Sequence, residues 1–208
     1  MLNIGLLSLL ADPLAFLVAF AACAFGLVMH NVAQAWLANR YKDSGPARYG
    51  FLSLEPRVHL DVLGILFLIL LGFGFPRPVP FRLYGAKEAQ VALMGPLAFF
   101  LMAFIYGLLA ALLGGGATGS FAEGLSRAMG VMLLHAAIFL FPVPPLDGAR
   151  VVYAVGSPSA RRFMDQLSSY GPLGFLVIFL VLNFTGVTSA VIYGLSGLLG
   201  TIYRAIGL

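Results

Sequence analysis

Long apolar runs, broken by short polar clusters, set the pattern of this chain. Leu14–Ala38, Ala89–Leu113, Met129–Leu146 and the tract Leu167–Ile206 are long or apolar enough to span or nearly span a bilayer, because about 20 helical residues cross the hydrocarbon layer. The last tract has room for two crossings, with a hinge expected near Asn183, Thr185 and Gly186. Leu60–Phe75 is apolar but shorter, begins beside Asp61 and carries Gly64, Gly72 and Gly74. It suits a re-entrant or interfacial segment buried against protein. Between the first two crossings, Arg48–Leu54 and Arg77–Leu83 hold β-compatible residues punctuated by Gly50, Pro56, Pro76, Pro78 and Pro80. They predict short strands or a hairpin at the membrane surface. Gly114–Gly119 reads as a flexible loop, and without internal repeats the natural unit is one domain over 1–208.

Composition settles the solvent. With 61% hydrophobic and 10% charged residues and a mean hydropathy of +0.98, the chain carries more apolar side chain than one soluble core can hide. Twelve Lys and Arg against eight Asp and Glu give +4, but these charges sit in connecting segments and form no basic face, so nucleic acid is not an expected partner. They carry topology instead. If Leu60–Phe75 does not cross, Arg40, Lys42, Arg48, Arg57, Arg77, Arg82, Lys87, Arg150, Arg161, Arg162 and Arg204 share one side and Arg127 stands alone, 11 against 1. If it does cross, the split is 5 against 7 and selects no orientation. The expectation is an all-α, multi-pass protein of the cell membrane with five crossings, N-terminus outside, C-terminus inside and a cytoplasmic-face insertion over Asn39–Glu88. Cys23 is the only cysteine, which excludes an internal disulfide and a cysteine metal cluster. Met1–Leu10 lacks the basic n-region of a secretory signal and is expected to be retained.

Polar residues in such a chain are functional candidates by default. His30, Asn31 and Gln34 lie in MHNVAQAW near the cytoplasmic end of the first helix, with His30 and Gln34 four apart on one face. Asp147 follows Pro142, Pro144 and Pro145, which cannot continue a regular helix, so the chain must unwind and display it. His59 and Asp61 lie in the insertion. Each group has a plainer reading: His30 with Gln34 as an interhelical hydrogen-bonding pair, Asp147 as the cap of a broken helix, His59 with Asp61 as an interfacial pair. His135, 12 residues before Asp147, is expected to pack in the outer half of the bundle.

Five blocks in order, His30–Ala35 (HNVAQA), Gly50–Asp61 (GFLSLEPRVHLD), Arg77–Pro80 (RPVP), Met94–Pro96 (MGP) and Pro142–Gly148 (PVPPLDG), resemble the site-2 protease family of intramembrane M50-type zinc metalloproteases. That resemblance implies a zinc bound by two histidines and a late aspartate, at positions 30, 34 and 147, and a general base at position 31. It also requires the first and third crossings to run parallel, as the charge count selects independently. This chain departs from the pattern at the chemistry. Asn31 cannot take a proton from water, Gln34 is a poor zinc ligand, and Phe99 and Phe139 replace asparagines that the resemblance links to holding an extended substrate. Glu55 is a further change. Two functions follow: a pseudoprotease that binds a transmembrane partner or serves a membrane complex, with no cofactor expected, or an intramembrane zinc metalloendopeptidase with an unconventional or deliberately disabled site. The identity of a partner or substrate and the oligomeric state stay open.

Overall fold

A computed structural model describes residues 6–114 and 119–207. Most of the loop expected at Gly114–Gly119 lies outside these residues, as does the start of Met1–Leu10. Helix α1 (Pro13–Arg40) begins at Asp12, whose carboxylate accepts from the Ala15 amide at 3.0 Å. Pro13 then fills a first-turn position that needs no amide donor. The face that α1 buries is small at its outer end, with Ala15, Ala19 and Cys23. Small side chains let helices approach closely where lipid supplies no hydrophobic drive. Helices α5 (Gly85–Leu113) and α6 (Gly119–Phe139) pack against that face and against each other. The contact is close at Gly124 of α6, where a Cβ would lie 2.6 Å from the Ala15 carbonyl. Tyr106 of α5 donates to the Ala22 carbonyl of α1 at 2.6 Å.

The insertion holds the short helices α2 (Gly45–Arg48) and α3 (Pro56–His59) and the apolar α4 (Val62–Leu71). Asp61 caps α4 by accepting from the Leu63 and Gly64 amides, and Gly72, at φ +71°, stops it. Ten residues rise about 15 Å, which is half a bilayer core. The two ends then meet: Leu60 and Pro76 form an isolated antiparallel bridge, and the Arg77 amide donates to the His59 carbonyl at 2.7 Å. Gly64 and Gly74 let the returning chain touch α4, since a Cβ on Gly64 would lie 1.9 Å from the Phe75 carbonyl oxygen. The two ends of Leu60–Phe75 therefore lie side by side.

The expected strands do not form among the described residues, where Leu60–Pro76 is an isolated bridge. Arg48 completes α2, and the chain turns at Gly50, with φ +83°. Residues 77–83 are extended, but Pro78 and Pro80 bring no amide hydrogen to a ladder.

Beyond α6 come α7 (Asp147–Val155), α8 (Pro158–Ser169), α9 (Gly171–Phe184) and α10 (Val187–Ala205). Gly186, at φ +78°, makes the expected hinge. The axes bend there by 65° and do not reverse. Tyr203, near the end of α10, donates to the Phe104 carbonyl in the second half of α5 at 2.7 Å. This arrangement is a broken helix running alongside the bundle, not the expected two antiparallel crossings. By length and apolarity α1 and α5 qualify as membrane spans among the described residues, and the bent pair counts as a third where it is taken as one span.

Candidate functional site

The site assembles where α1, α5 and the start of α7 meet. The break after α6 presents Asp147, and Gly148 permits the chain to fold back, since a Cβ there would lie 2.3 Å from the Leu140 carbonyl oxygen. The Asp147 carboxylate is shared between two donors on α1. His30 Nε2 lies 2.7 Å from Oδ2, and Gln34 Nε2 donates to Oδ1 at 2.9 Å. The second Gln34 amide hydrogen serves the Ala92 carbonyl of α5 at 3.2 Å. Asn31 Nδ2 donates to the Arg77 carbonyl at 2.8 Å, which turns its Oδ1 toward His30 Nδ1, 2.9 Å away. An amide oxygen only accepts, so Nδ1 carries a hydrogen. All four side chains are buried.

Gly95 of α5 makes this pairing possible. A Cβ there would stand 2.3 Å from His30 Nε2 and 2.5 Å from Asp147 Oδ2. The Phe99 ring centroid lies 4.7 Å from that of His30, and Phe139 presents its edge at 5.1 Å. The two phenylalanines thus surround the imidazole with apolar surface and offer no hydrogen bond.

A cavity of about 560 Å³ opens beside the network, walled by the extended segment Phe75–Val79 and by Pro144–Leu146. Glu88, Arg150 and Tyr153 also line it. The Arg150 guanidinium stacks 4.0 Å from the Phe81 ring centroid and reaches the Val79 carbonyl at 3.4 Å through both Nη atoms. Burial pushes the Arg150 guanidinium down from its ordinary range, while Asp147 and Glu88 push it back up.

The residues singled out in sequence separate into two groups. His30, Asn31, Gln34, Asp147, Phe99 and Phe139 gather at one place. The plain reading of Asp147 as a helix cap is not what forms: it opens α7 at the first helical position, and its oxygens face α1. His59 and Asp61 do not pair with each other. His59 Nε2 donates to the Ser53 carbonyl at 2.8 Å and Asp61 caps α4, because the chain bends between them at Leu60. Glu55 stands partly exposed at the start of α3, with Arg57 3.9 Å away. His135 lies inside the bundle, bonded to the Val131 carbonyl at 2.7 Å and to the Gly74 amide at 3.0 Å. It anchors the returning end of Leu60–Phe75. Sequence reasoning missed Gly95 and Arg150. The signal for Gly95 was its place in MGP, and for Arg150 its spacing of three residues, nearly one helical turn, from Asp147.

No protein-family model matches the chain, and no solved structure does. Two relatives do. The chain is 34% identical over 163 residues to "Putative zinc metalloprotease YwhC" of Bacillus subtilis, covering 73% of this chain and 74% of the relative. It belongs to the site-2 protease family. "Putative zinc metalloprotease Rip2" of Mycobacterium tuberculosis is 26% identical over 198 residues, 91% of this chain and 76% of that protein. With apolar helices of spanning length, this site-2 protease relative is a membrane protein.

The names of these relatives imply zinc, and the donors present do not fit it. Two ligands of a tetrahedral zinc, each about 2.0–2.2 Å from the ion, lie roughly 3.3 Å apart. His30 Nε2 and Asp147 Oδ2 are instead at hydrogen-bonding distance, 2.7 Å. The third position holds an amide that points a donor at the carboxylate. Among the described residues no group of three His, Cys, Asp or Glu side chains gathers in a form that could hold a metal.

Proposed function

We propose that this protein is a pseudoprotease of the site-2 protease family, which keeps the family's bundle and cavity to bind a transmembrane partner and does not hydrolyse peptides. One observation carries the reading: both Asp147 oxygens are already satisfied, by His30 at 2.7 Å and by Gln34 at 2.9 Å. The base position itself cannot take a proton from water, because Asn31 stands there and its amide is spent on Arg77. The proposed setting is the cell membrane. Arg40, Lys42, Arg48, Arg57, Arg77, Arg82, Lys87, Arg150, Arg161 and Arg162 lie on the cytoplasmic side and Arg127 on the other. α1, α5 and α6 cross, and α9–α10 complete the bundle as one bent span, which makes four crossings in place of five.

The competing reading, an intramembrane zinc metalloendopeptidase, is favoured by the names of the relatives. Elemental analysis of the purified protein, joined to a cleavage assay on a transmembrane test substrate, separates the two. The pseudoprotease reading expects no stoichiometric zinc and no cleavage. One zinc per chain held by His30, Gln34 and Asp147 would overturn it.

A further inference from the structure

The extended segment 76–81 accounts for its backbone in an unusual way. In an extended chain the N–H and C=O of one residue point to the same edge, and those of residues two apart share that edge. On one edge, the Arg77 amide donates to the His59 carbonyl at 2.7 Å, the Arg77 carbonyl accepts from Asn31 at 2.8 Å, and the Val79 carbonyl accepts from the Phe81 amide at 3.0 Å and from Arg150 at 3.4 Å. The other edge belongs to Pro78 and Pro80, which have no amide hydrogen. Val79 and Phe81 are buried among Ala35, Ala38, Val91 and Ala92, so the strap is seated by packing as well. Both carbonyls that point toward the site are therefore held by side chains from α1 and α7.

We propose that Asn31 and Arg150 are paired clasps, which lock this strap as a wall of the cavity and keep its backbone edge from pairing with any other chain. Strand addition needs an open row of alternating donors and acceptors. Here the Arg77 and Val79 carbonyls are occupied and the opposite row lacks donors. A chain segment that enters the cavity is held by its side chains, against Pro76, Pro78, Pro144 and Pro145 on the two walls. Asn31, at the position where an active relative needs a base, is in this protein a positioning residue for the strap. Arg150 does the same from α7, with the guanidinium spread over Phe81 to fix the carbonyl between two contacts.

The test is amide hydrogen exchange on the full chain in nanodiscs, read on peptides covering 75–84 and compared with peptides from α5 and α6. Asn31→Asp keeps the side-chain shape and removes the donor to the Arg77 carbonyl. Arg150→Lys keeps the charge and removes the planar fork. Each should speed exchange in the strap by about fivefold, the effect of one hydrogen bond, and leave the α5 and α6 interiors at their original rates. If Asn31→Asp loosens the whole bundle, Arg150→Lys decides alone, because the Arg150 bonds go to the Val79 carbonyl and not into the His30 pair. Strap exchange unchanged in Arg150→Lys, or raised only together with α5 and α6, overturns the proposal. The readout uses neither zinc nor substrate, so its failure leaves the pseudoprotease reading intact, and zinc in the purified protein would leave the clasp test unaffected.

Discussion

Restoring the two missing active-site groups, by Asn31→Glu with Gln34→His, separates lost metal binding from lost substrate handling. Positions 30 and 34 share a helix face, and Asp147 is already displayed, so His30, a histidine at 34 and Asp147 converge without any backbone change. Admitting the ion widens the 2.7 Å gap between His30 Nε2 and Asp147 Oδ2 by about half an ångström. Asn31→Glu also removes the donor from the Arg77 carbonyl, 2.8 Å away, and sets acceptor against acceptor. A buried group left unsatisfied costs about 1–3 kcal/mol. Zinc in a complete ligand set returns about 10 kcal/mol or more at neutral pH. The metal wins, and the variant is expected to purify with about one zinc per chain. Cleavage is a different matter, because the scissile bond must be held within about 3–3.5 Å of the attacking water and a misplacement of about 1 Å costs on the order of 100-fold. Phe99 and Phe139 pack on the imidazole at 4.7 and 5.1 Å and give a peptide backbone nothing to bond. The variant should therefore bind zinc yet cleave a transmembrane test substrate at least about 100-fold more slowly than an active relative. Absence of zinc in a folded variant would refute the geometric argument. Cleavage at the rate of an active relative would refute the argument from Phe99 and Phe139, and with it the pseudoprotease reading.

Gly95→Ala drives a methyl group against the His30–Asp147 pair and should lower stability by about 1–3 kcal/mol, seen as a lower thermal midpoint in detergent; an unchanged midpoint would show that the pair does not rest on α5. His59 gives a pH signature. Burial pushes its imidazole below the ordinary value, against the opposing pull of the Ser53 carbonyl, so the unfolded chain binds more protons than the fold once pH drops below about 6.5. Its contribution is complete above that value and is lost as pH falls toward the depressed folded value, and His59→Gln should flatten this part of a stability profile between pH 7.5 and 5; an identical profile in the variant would contradict it. Cysteine labelling at Arg82 and Arg161 should report one face of the membrane and labelling at Arg127 and Arg204 the other; Arg82 labelling together with Arg127 would mean that Leu60–Phe75 crosses, and Arg204 labelling with Arg82 would restore the second crossing by α10.

The parts of this structure that sequence reveals are those fixed by local chemistry. His30 and Gln34 share a face because they are four residues apart, Asp147 is displayed because prolines break the chain before it, and the hinge falls at Gly186 because that backbone needs a positive φ. The close return of Leu60–Phe75 is legible in its glycines, because Gly64 and Gly74 leave room for the chain to double back. The strands do not form over 77–83 because Pro78 and Pro80 remove amides that a ladder needs, which outweighs the β propensity of their neighbours. The fate of α9–α10 was hidden because two helices of near-spanning length can make either a hairpin or a bend, and the choice rests on Tyr203 meeting Phe104, 99 residues away. The role of Gly95 exceeds its place in MGP for a related reason. Its importance is set by two side chains from α1 and α7, not by its own helix.

Asn31 and Gln34 show where reading by motif stops. Against the family pattern each is a loss: a base that cannot accept a proton and a ligand that cannot hold a metal. Within the fold each is a donor placed where a donor is needed. Without a cation, a carboxylate buried among Phe139, Ala92 and Gly95 would leave two oxygens to desolvate, and burying an unpaired charge is severely unfavourable. His30 satisfies one oxygen and Gln34 the other. A histidine at 34 brings one proton-bearing nitrogen, whereas the glutamine amide brings two hydrogens and uses both, on Asp147 and on the Ala92 carbonyl. Asn31 in turn fixes the His30 tautomer and closes the strap, which a carboxylate at that position cannot do by donation. The two changes therefore form a set with Asp147 kept. A chain that had merely lost selection on catalysis would have no reason to retain a buried aspartate, and the direct test is to replace Asp147 by leucine: if the network is structural, His30 and Gln34 lose their acceptor together and stability falls by about 3–5 kcal/mol, whereas an idle remnant of an active site would tolerate the apolar side chain.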